Sequence, residues 1–265
     1  MVMTTLISSL KKIYPDSSSR TLKIWLKNRR VTVDGTVQTK ATLPVEENQK
    51  VELQKAIFES KDFPILYEDE HLIIINKPIG LLSVPLDDKQ CRNVLSILRE
   101  RYPTIYAVHR IDRTTSGALL FVKTEEAREE IDKLFKNHDL TREYIALVEG
   151  HLKPASGTLH YRLFQKSIFE VCSDPHGKPT TTHYEVIRDQ PKTTLVKLTL
   201  ETGHKHQIRI HLKEAGHPIL GDKRYGSTQD PHKRICLHAH RLSFIHPFTD
   251  KTIDVTAKAP SFAQN

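Results

Sequence analysis

Apolar residues recur at helical spacing near the N-terminus, where Leu22, Trp25 and Leu26 stand at i, i+3 and i+4 behind Ser17, Ser18 and Ser19. The serines are candidate N-caps, so a short helix is predicted with one apolar face, while Lys23, Lys27 and Arg30 fall on another face. Val31 and Val33 then alternate with Thr32, Asp34-Gly35 offers a hairpin turn into a return strand through Val37, and Val51 to Leu53 reads as a further strand. The pattern lapses between Lys55 and Pro64, which places a domain boundary there and predicts units of residues 1–60 and 61–265. Beyond it, Leu72 to Ile75 and Ala118 to Val122 read as buried strands, and Asn93 to Leu98 as a helix. Thr124 can cap a helix that turns Ala127, Ile131, Leu134 and Phe135 inward. Glu143 to Val148 is a strand; Leu195 to Glu201 alternates, turns at Thr202-Gly203 and leads to a helix that ends at Gly216 before Pro218. Strands and helices mix without a repeating βαβ unit, which predicts an α+β domain.

Charge sharpens the division. The 265 residues carry a formal net charge of +8, and +6 of it lies in residues 1–40, where eight Lys and Arg face Asp16 and Asp34 alone. A polyanionic partner, nucleic acid above all, suits that segment. Cys91, Cys172 and Cys236 are far apart with no C-x-x-C pair, so neither a disulfide framework nor a cysteine zinc site is indicated, and a reducing cytoplasm is expected. The N-terminus lacks a signal-peptide core, and apolar runs fall far below the roughly 20 residues of a membrane span. No Rossmann or P-loop glycine signature occurs.

Chemistry concentrates in two runs. His109-Arg110-Ile111-Asp112-Arg113-Thr114-Thr115-Ser116-Gly117 sets one carboxylate among arginines and hydroxyls just before a buried strand. In an extended backbone Arg110 and Asp112 point the same way, an arrangement that suits an aspartate used as nucleophile or base and equally a structural ion pair. The second run, Thr202 to Lys213, has no acidic residue; on a helix, Ile208, Leu212 and Ala215 would pack and leave His206, Arg209 and Lys213 together on a different face. His204, His206 and His211 have no carboxylate or thiol at a usual ligand spacing, so metal binding is not expected.

These residues, together with Asn76-Lys77-Pro78-Ile79-Gly80-Leu81, Glu143-Tyr144-Ile145-Ala146-Leu147-Val148-Glu149-Gly150, Gly216-His217-Pro218-Ile219-Leu220-Gly221-Asp222, Tyr225-Gly226, Leu237-His238-Ala239 and His246-Pro247, resemble in order the RluA-type family of RNA pseudouridine synthases. One departure is His204-Lys205, where the family usually has Arg followed by Thr or Ser. Ser19-Arg20, the basic helix and the Val31 to Gly35 hairpin resemble the S4-like RNA-binding module, with Arg29 or Arg30 near the place where that module usually turns on glycine.

The resemblance implies a mixed, largely antiparallel central sheet with flanking helices. It also implies isomerisation of uridine in RNA to pseudouridine with no cofactor and no metal. Carried over by position, Asp112 is the catalytic aspartate, Tyr144 lies under the uracil, and Arg209 pairs with the aspartate. Arg110 takes the extruded base's place or holds its phosphate. His109, Thr115, Gly117, Gln207, His211 and Lys77 are expected on the substrate side, with Lys77 as a structural or phosphate contact, Gly117 at a close backbone approach, and the two histidines holding loops. Arg20, Lys23, Lys27, Arg29 and Arg30 are expected to grip RNA, ribosomal RNA ahead of tRNA, in a monomer without membrane contact. A non-catalytic RNA-binding protein would not need Asp112, Tyr144 and Arg209 together, and a nucleoside hydrolase would not need the cationic helix.

Overall fold

The computed structural model describes residues 3–27, 30–54, 63–85, 92–167 and 170–264, apart from the side chains of Ile24 and Lys27. The chain first forms β1 (Met3–Thr5), α1 (Leu6–Ile13), α2 (Ser19–Lys27), β2 (Val31–Val33), β3 (Thr36–Gln38), β4 (Pro44–Glu46) and β5 (Val51–Leu53). β6 (Ile65–Glu68), β7 (Leu72–Lys77), α3 (Val94–Arg101), β8 (Tyr106–Ala107), β9 (Ser116–Val122) and α4 (Glu125–Asn137) follow. The remainder holds β10 (Thr141–Glu149), β11 (Ser156–Gln165), β12 (Val171–Ser173), β13 (Lys178–Gln190), β14 (Thr193–Leu200), α5 (Gln207–Glu214), β15 (Leu237–Ile245) and β16 (Thr252–Thr256), with short 3-10 turns at Lys223–Tyr225 and Ser261–Ala263.

Two compact units result: Met1–Asp62 with Val84–Ala107, and Phe63–Ser83 with Val108–Asn265. The expected linker at 55–62 and Cys91 lie outside the described residues. The division differs from the 1–60 and 61–265 of the sequence reading because residues 84–107 group with the N-terminal residues. Hydrogen bonding explains this. The last carbonyls of a helix have no intrahelical partner, and at the end of α3 the Trp25 indole donates to Arg99 O at 2.7 Å while Arg30 Nη2 donates to Arg101 O at 2.8 Å. Ser17 Oγ adds a bond to Pro103 O at 2.6 Å.

Within this first unit the predicted helix forms with Ser18 as its cap, accepting from Thr21 N–H, and Leu22, Trp25 and Leu26 are buried beside Leu6, Leu10, Val31, Val33 and Val45. Arg20 and Lys23 stand exposed on α2. Arg30 corrects the sequence reading: it is 5% exposed, also donates to Gln54 O, lies over the Trp25 ring, and is pushed down to about 10 chiefly by burial. It is a buried structural arginine and not part of an RNA-facing surface. Arg29 and the Lys27 side chain lie outside what the structure describes.

The second unit is built on one sheet with the strand order β12-β11-β13-β14-β10-β15-β9-β7-β6, and β16 beside β15. Neighbours are antiparallel except β9 and β15, which run parallel with Ser116 opposite His238 and Gly117 opposite Ala239. β7 and β9 are the apolar runs of the sequence, and Leu72 to Ile75 and Leu119 to Val122 are fully buried, as strands covered on both faces require. Thr124 caps α4 with its side chain on Ala127 N–H, and Ala127 and Ile131 are buried, whereas Leu134 and Phe135 are half-buried. Gly117, at φ +118, sits where a Cβ would come within 2.1 Å of Ala239 O. Gly117→Ala is therefore expected to destabilise this unit by about 2–4 kcal/mol through strain and overpacking, read as a lower denaturant midpoint with unchanged slope.

Candidate active site

Asp112 lies in the irregular stretch between Val108 and Thr115, and its backbone is held from two sides. Ser83 Oγ donates to Ile111 O at 2.8 Å and accepts from Ile111 N–H at 3.2 Å, while Gly80 N–H donates to Arg113 O and Arg113 Nε returns a bond to Gly80 O. Thr115 N–H closes a turn onto Asp112 O at 3.0 Å. The segment after β7 thus laces the aspartate loop in place, and Lys77 explains that segment's shape. Its side chain is fully buried, its ammonium donates to Pro78 O at 2.9 Å and Leu81 O at 2.7 Å, and burial pushes it down to about 8 against the opposing pull of the Asp112 charge.

The carboxylate meets Arg209 on α5. Nη1 of Arg209 reaches Asp112 Oδ2 at 3.2 Å, and the same guanidinium makes a fork onto Asp222, with Nε to Oδ2 at 2.6 Å and Nη2 to Oδ1 at 2.8 Å. Arg209 is 5% exposed, and its guanidinium carbon lies 4.8 Å from the centre of the Tyr225 ring. A planar fork locked by one carboxylate and one ring has a single free edge, and that edge is presented to Asp112. The two carboxylates and their hydrogen bonds raise Arg209 although burial alone would lower it. Asp112 Oδ1 has no hydrogen bond among the described residues, so the site holds one carboxylate oxygen and leaves the other available.

His206 completes this corner. It caps α5 with φ +57, a conformation that few non-glycine residues adopt, and its Nδ1 meets the Tyr225 hydroxyl at 2.7 Å. The Tyr225 hydroxyl also reaches Val171 O at 3.3 Å, and Nε2 of His206 faces Asp112 Oδ2 at 3.7 Å. Burial is the main cause that pushes His206 down to about 4, with Asp112 opposing.

Tyr144 comes from β10, paired with Leu198 of β14 and Ala239 of β15, at a register shift between Glu143 and Tyr144. Bulges of this kind re-aim a side chain beside a site. Burial raises the phenol above its ordinary value; Arg142 lowers it and the Asp112 charge raises it, so both groups lie within its electrostatic reach. Arg142 is seated against the Phe135 ring and donates to Glu201 O, in space that exists because residue 203 is glycine: a Cβ there would fall 2.3 Å from Arg142 Nη1.

The structure thus brings Asp112, Tyr144 and Arg209 together and leaves other expected residues away from any substrate surface. Lys77 is a structural lysine whose ammonium is engaged by carbonyls, not a phosphate contact. Gln207 is 2% exposed and fully bonded, with its amide nitrogen on Thr181 O and Thr182 Oγ1 and its oxygen accepting from Thr202 and His204. His211 is fully buried with Nε2 on Thr180 Oγ1 at 2.7 Å, and His109 accepts from Leu120 N–H at 2.9 Å, pushed down to about 3 by burial. Thr115 is 2% exposed, and Gly117 serves the approach of β9 to β15. Arg110 is exposed, and the cation bonded to Asp112 is Arg209. The predicted cationic face of α5 is also redistributed, since Arg209 turns inward and Lys213 bonds Glu214. Asp222, Tyr225 and Arg142 were given no site role in the sequence, and His206 was placed only on a helix face with Arg209. In sequence Asp222 is only a lone acid after Gly221, and nothing local announces that it faces Arg209.

Among the described residues no three His, Cys, Asp or Glu side chains gather as a metal site requires, and no helix is long and apolar enough to cross a membrane. The family described as RNA pseudouridylate synthase matches residues 71–214. The chain is 40% identical to the dual-specificity RNA pseudouridine synthase RluA of Pasteurella multocida, over 75% of this chain and 93% of that protein. It is 33% identical to the ribosomal large subunit pseudouridine synthase D of Escherichia coli strain K12, over 95% and 86%. Among solved structures, human RNA pseudouridylate synthase domain containing 1 superposes with a TM-score of 0.64 at 25% identity, over 77% of this chain and 86% of that one.

Proposed function

This chain belongs to the RNA pseudouridylate synthase family, in its RluA-type branch, and from that premise we propose that it isomerises uridine in structured RNA with Asp112 as the catalytic aspartate. The single observation that supports this most is the half-engaged carboxylate: Arg209 holds Oδ2, Asp222 holds Arg209, and the Asp112 side chain, 21% exposed, has no hydrogen bond to Oδ1 among the described residues. A buried cation placed so compensates the aspartate's charge in a site with little water, without occupying the oxygen that reacts.

The overall change is an isomerisation. The bond from N1 of uracil to C1′ breaks and a bond from C5 to C1′ forms, a proton leaves C5, and a proton is delivered to N1. No electrons are exchanged with another molecule. Asp112 Oδ1 is the group that attacks or takes up the developing charge, and Tyr144 is suited to handle the C5 proton late in the reaction, where Arg142 offsets the effect of its burial. Exposed Arg110, with Lys205 within its electrostatic reach, supplies positive charge at the opening. Chemistry on a base requires it to leave its stack at a cost of a few kcal/mol, which contacts from Arg110 offset.

Ribosomal RNA is the favoured substrate, and a cytoplasmic location follows from it. The match to the ribosomal large subunit enzyme runs over 95% of this chain and so takes in the first unit, whereas the match to RluA covers 75%. The first unit is read as an S4-like RNA grip through exposed Arg20 and Lys23. Arg20→Gln and Lys23→Gln are expected to weaken RNA binding and each to reduce the salt slope by about one, whereas Arg30→Gln lowers the stability of that unit by about 2–3 kcal/mol. Salt-titrated binding and thermal melting separate the two effects. The functional reading itself is tested by mapping pseudouridine, through carbodiimide adduct stops, in cellular RNA with and without the gene. Loss of one or a few sites on deletion, restored by the gene, is expected; an unchanged map overturns it.

A further inference from the structure

Outside the aspartate corner, β11, β12 and the start of β13 enclose a cavity of about 340 Å³. Its floor is apolar, made by Leu163 and Val171, which are buried and cluster with Ile210 and Tyr225. Its walls carry Phe164, Lys178, His204 and Lys205. Three features call for an explanation. Phe164 is a large aromatic residue left 44% exposed beside an open cavity. Two lysines from different elements converge on one rim, and Lys178 is near enough to His204 to lower its proton affinity. The floor is also joined to the aspartate site, because Tyr225 hydrogen-bonds both Val171 O and His206 Nδ1 and packs on Arg209. Lys205, in the cavity wall, lies within the electrostatic reach of both Asp112 and Arg110.

An aromatic face over an apolar floor with lysines at the rim is the chemistry that receives a nucleotide of single-stranded RNA, base on the ring and phosphate on the cations. The volume lies at the lower end of the range for small-ligand sites. Lys205 belongs to both the cavity rim and the surroundings of Asp112, so a strand whose target uridine sits at Asp112 would bring a neighbouring nucleotide to this place. We infer that the cavity is a second nucleotide subsite, which takes the base of a nucleotide flanking the target uridine against Phe164 and its phosphate between Lys178 and Lys205. The inference rests on the RNA-modifying reading above. It gives a role to His204 and Lys205, which line the subsite and are not part of the aspartate's own hydrogen-bond set.

The test uses the full chain and an in vitro transcribed RNA segment spanning a mapped site, with each neighbour of the target uridine replaced in turn by an abasic nucleotide. Phe164→Ala is expected to raise KM about tenfold with kcat within about twofold and an unchanged melting temperature. One abasic position reproduces that penalty in the wild type and adds nothing further in Phe164→Ala, the signature of two changes that remove one contact. Lys178→Gln raises KM less and flattens its salt dependence. A KM within twofold of wild type in Phe164→Ala, or abasic and Phe164→Ala penalties that simply add, overturns the subsite while leaving the enzyme assignment intact. If instead the wild type forms no pseudouridine in any RNA, the functional reading fails. The cavity is then tested alone by photo-crosslinking of a 4-thiouridine-containing oligouridylate, and absence of adducts at residues 163–178 rejects it.

Discussion

Asp112→Asn is expected to reduce pseudouridine formation by about 10⁴-fold or more while the protein stays folded and binds RNA within a few-fold of wild type. The amide preserves the shape of the side chain, and Arg209 retains its two bonds to Asp222 at 2.6 and 2.8 Å, so the architecture around residue 112 does not depend on its charge. What is lost is the free oxygen. An amide cannot take up the charge or form the bond that a carboxylate can. Carbodiimide adduct stops on RNA treated with the purified variant read the first effect, and filter binding at fixed salt reads the second. Persistent modification would remove Asp112 from its role; loss of RNA binding together with activity would instead assign it to the architecture.

Asp222→Ala is expected to do the opposite, breaking structure first. Arg209 is 5% exposed and the Asp222 side chain 1% exposed, so the deletion strands a buried guanidinium with one 3.2 Å bond to Asp112. Breaking a buried pair by removing one partner costs about 3–5 kcal/mol, and a loosened Asp112 costs about 10²-fold in rate. The double change Asp222→Ala with Arg209→Met regains much of the stability, because no unpaired guanidinium stays buried and the partly exposed Asp112 can be met by water, yet it stays inactive without the cation that holds Asp112. Denaturant titration and single-turnover rates on the two variants and the wild type test this. A double variant as unstable as Asp222→Ala would show that the pair is not the source of the loss.

How much was legible in the sequence differs by element, for physical reasons. The helix of Leu22, Trp25 and Leu26, the buried runs at Leu72 and Ala118, and the Thr124 cap are written in local spacing, so reading them needed no partner. Arg30 was misread because an arginine at helical spacing from Lys23 and Lys27 resembles a cationic face. Only its bonds to Gln54 O and Arg101 O show that it is turned inward. Gln207 was grouped with the substrate side because a polar residue near Asp112 and Arg209 in the motif looks like a ligand for a substrate, whereas its amide is taken up by backbone and threonine; Lys77 and His211, read as structural or loop-holding, are buried with bonds to carbonyls and to Thr180. Asp222 and Tyr225 were missed because their meaning lies in what they do to Arg209, a residue more than ten positions away.

By itself the sequence determined several elements, the α+β class, the concentration of charge near the N-terminus and the run that holds Asp112, since each depends on residues close together in the chain. The tertiary structure decided which cation serves that aspartate, which basic residues are buried, where residues 84–107 belong and that Phe164 borders a cavity. Those outcomes depend on desolvation and on hydrogen-bond partners distant in sequence, and a guanidinium or an ammonium acquires its role only when folding selects what it faces.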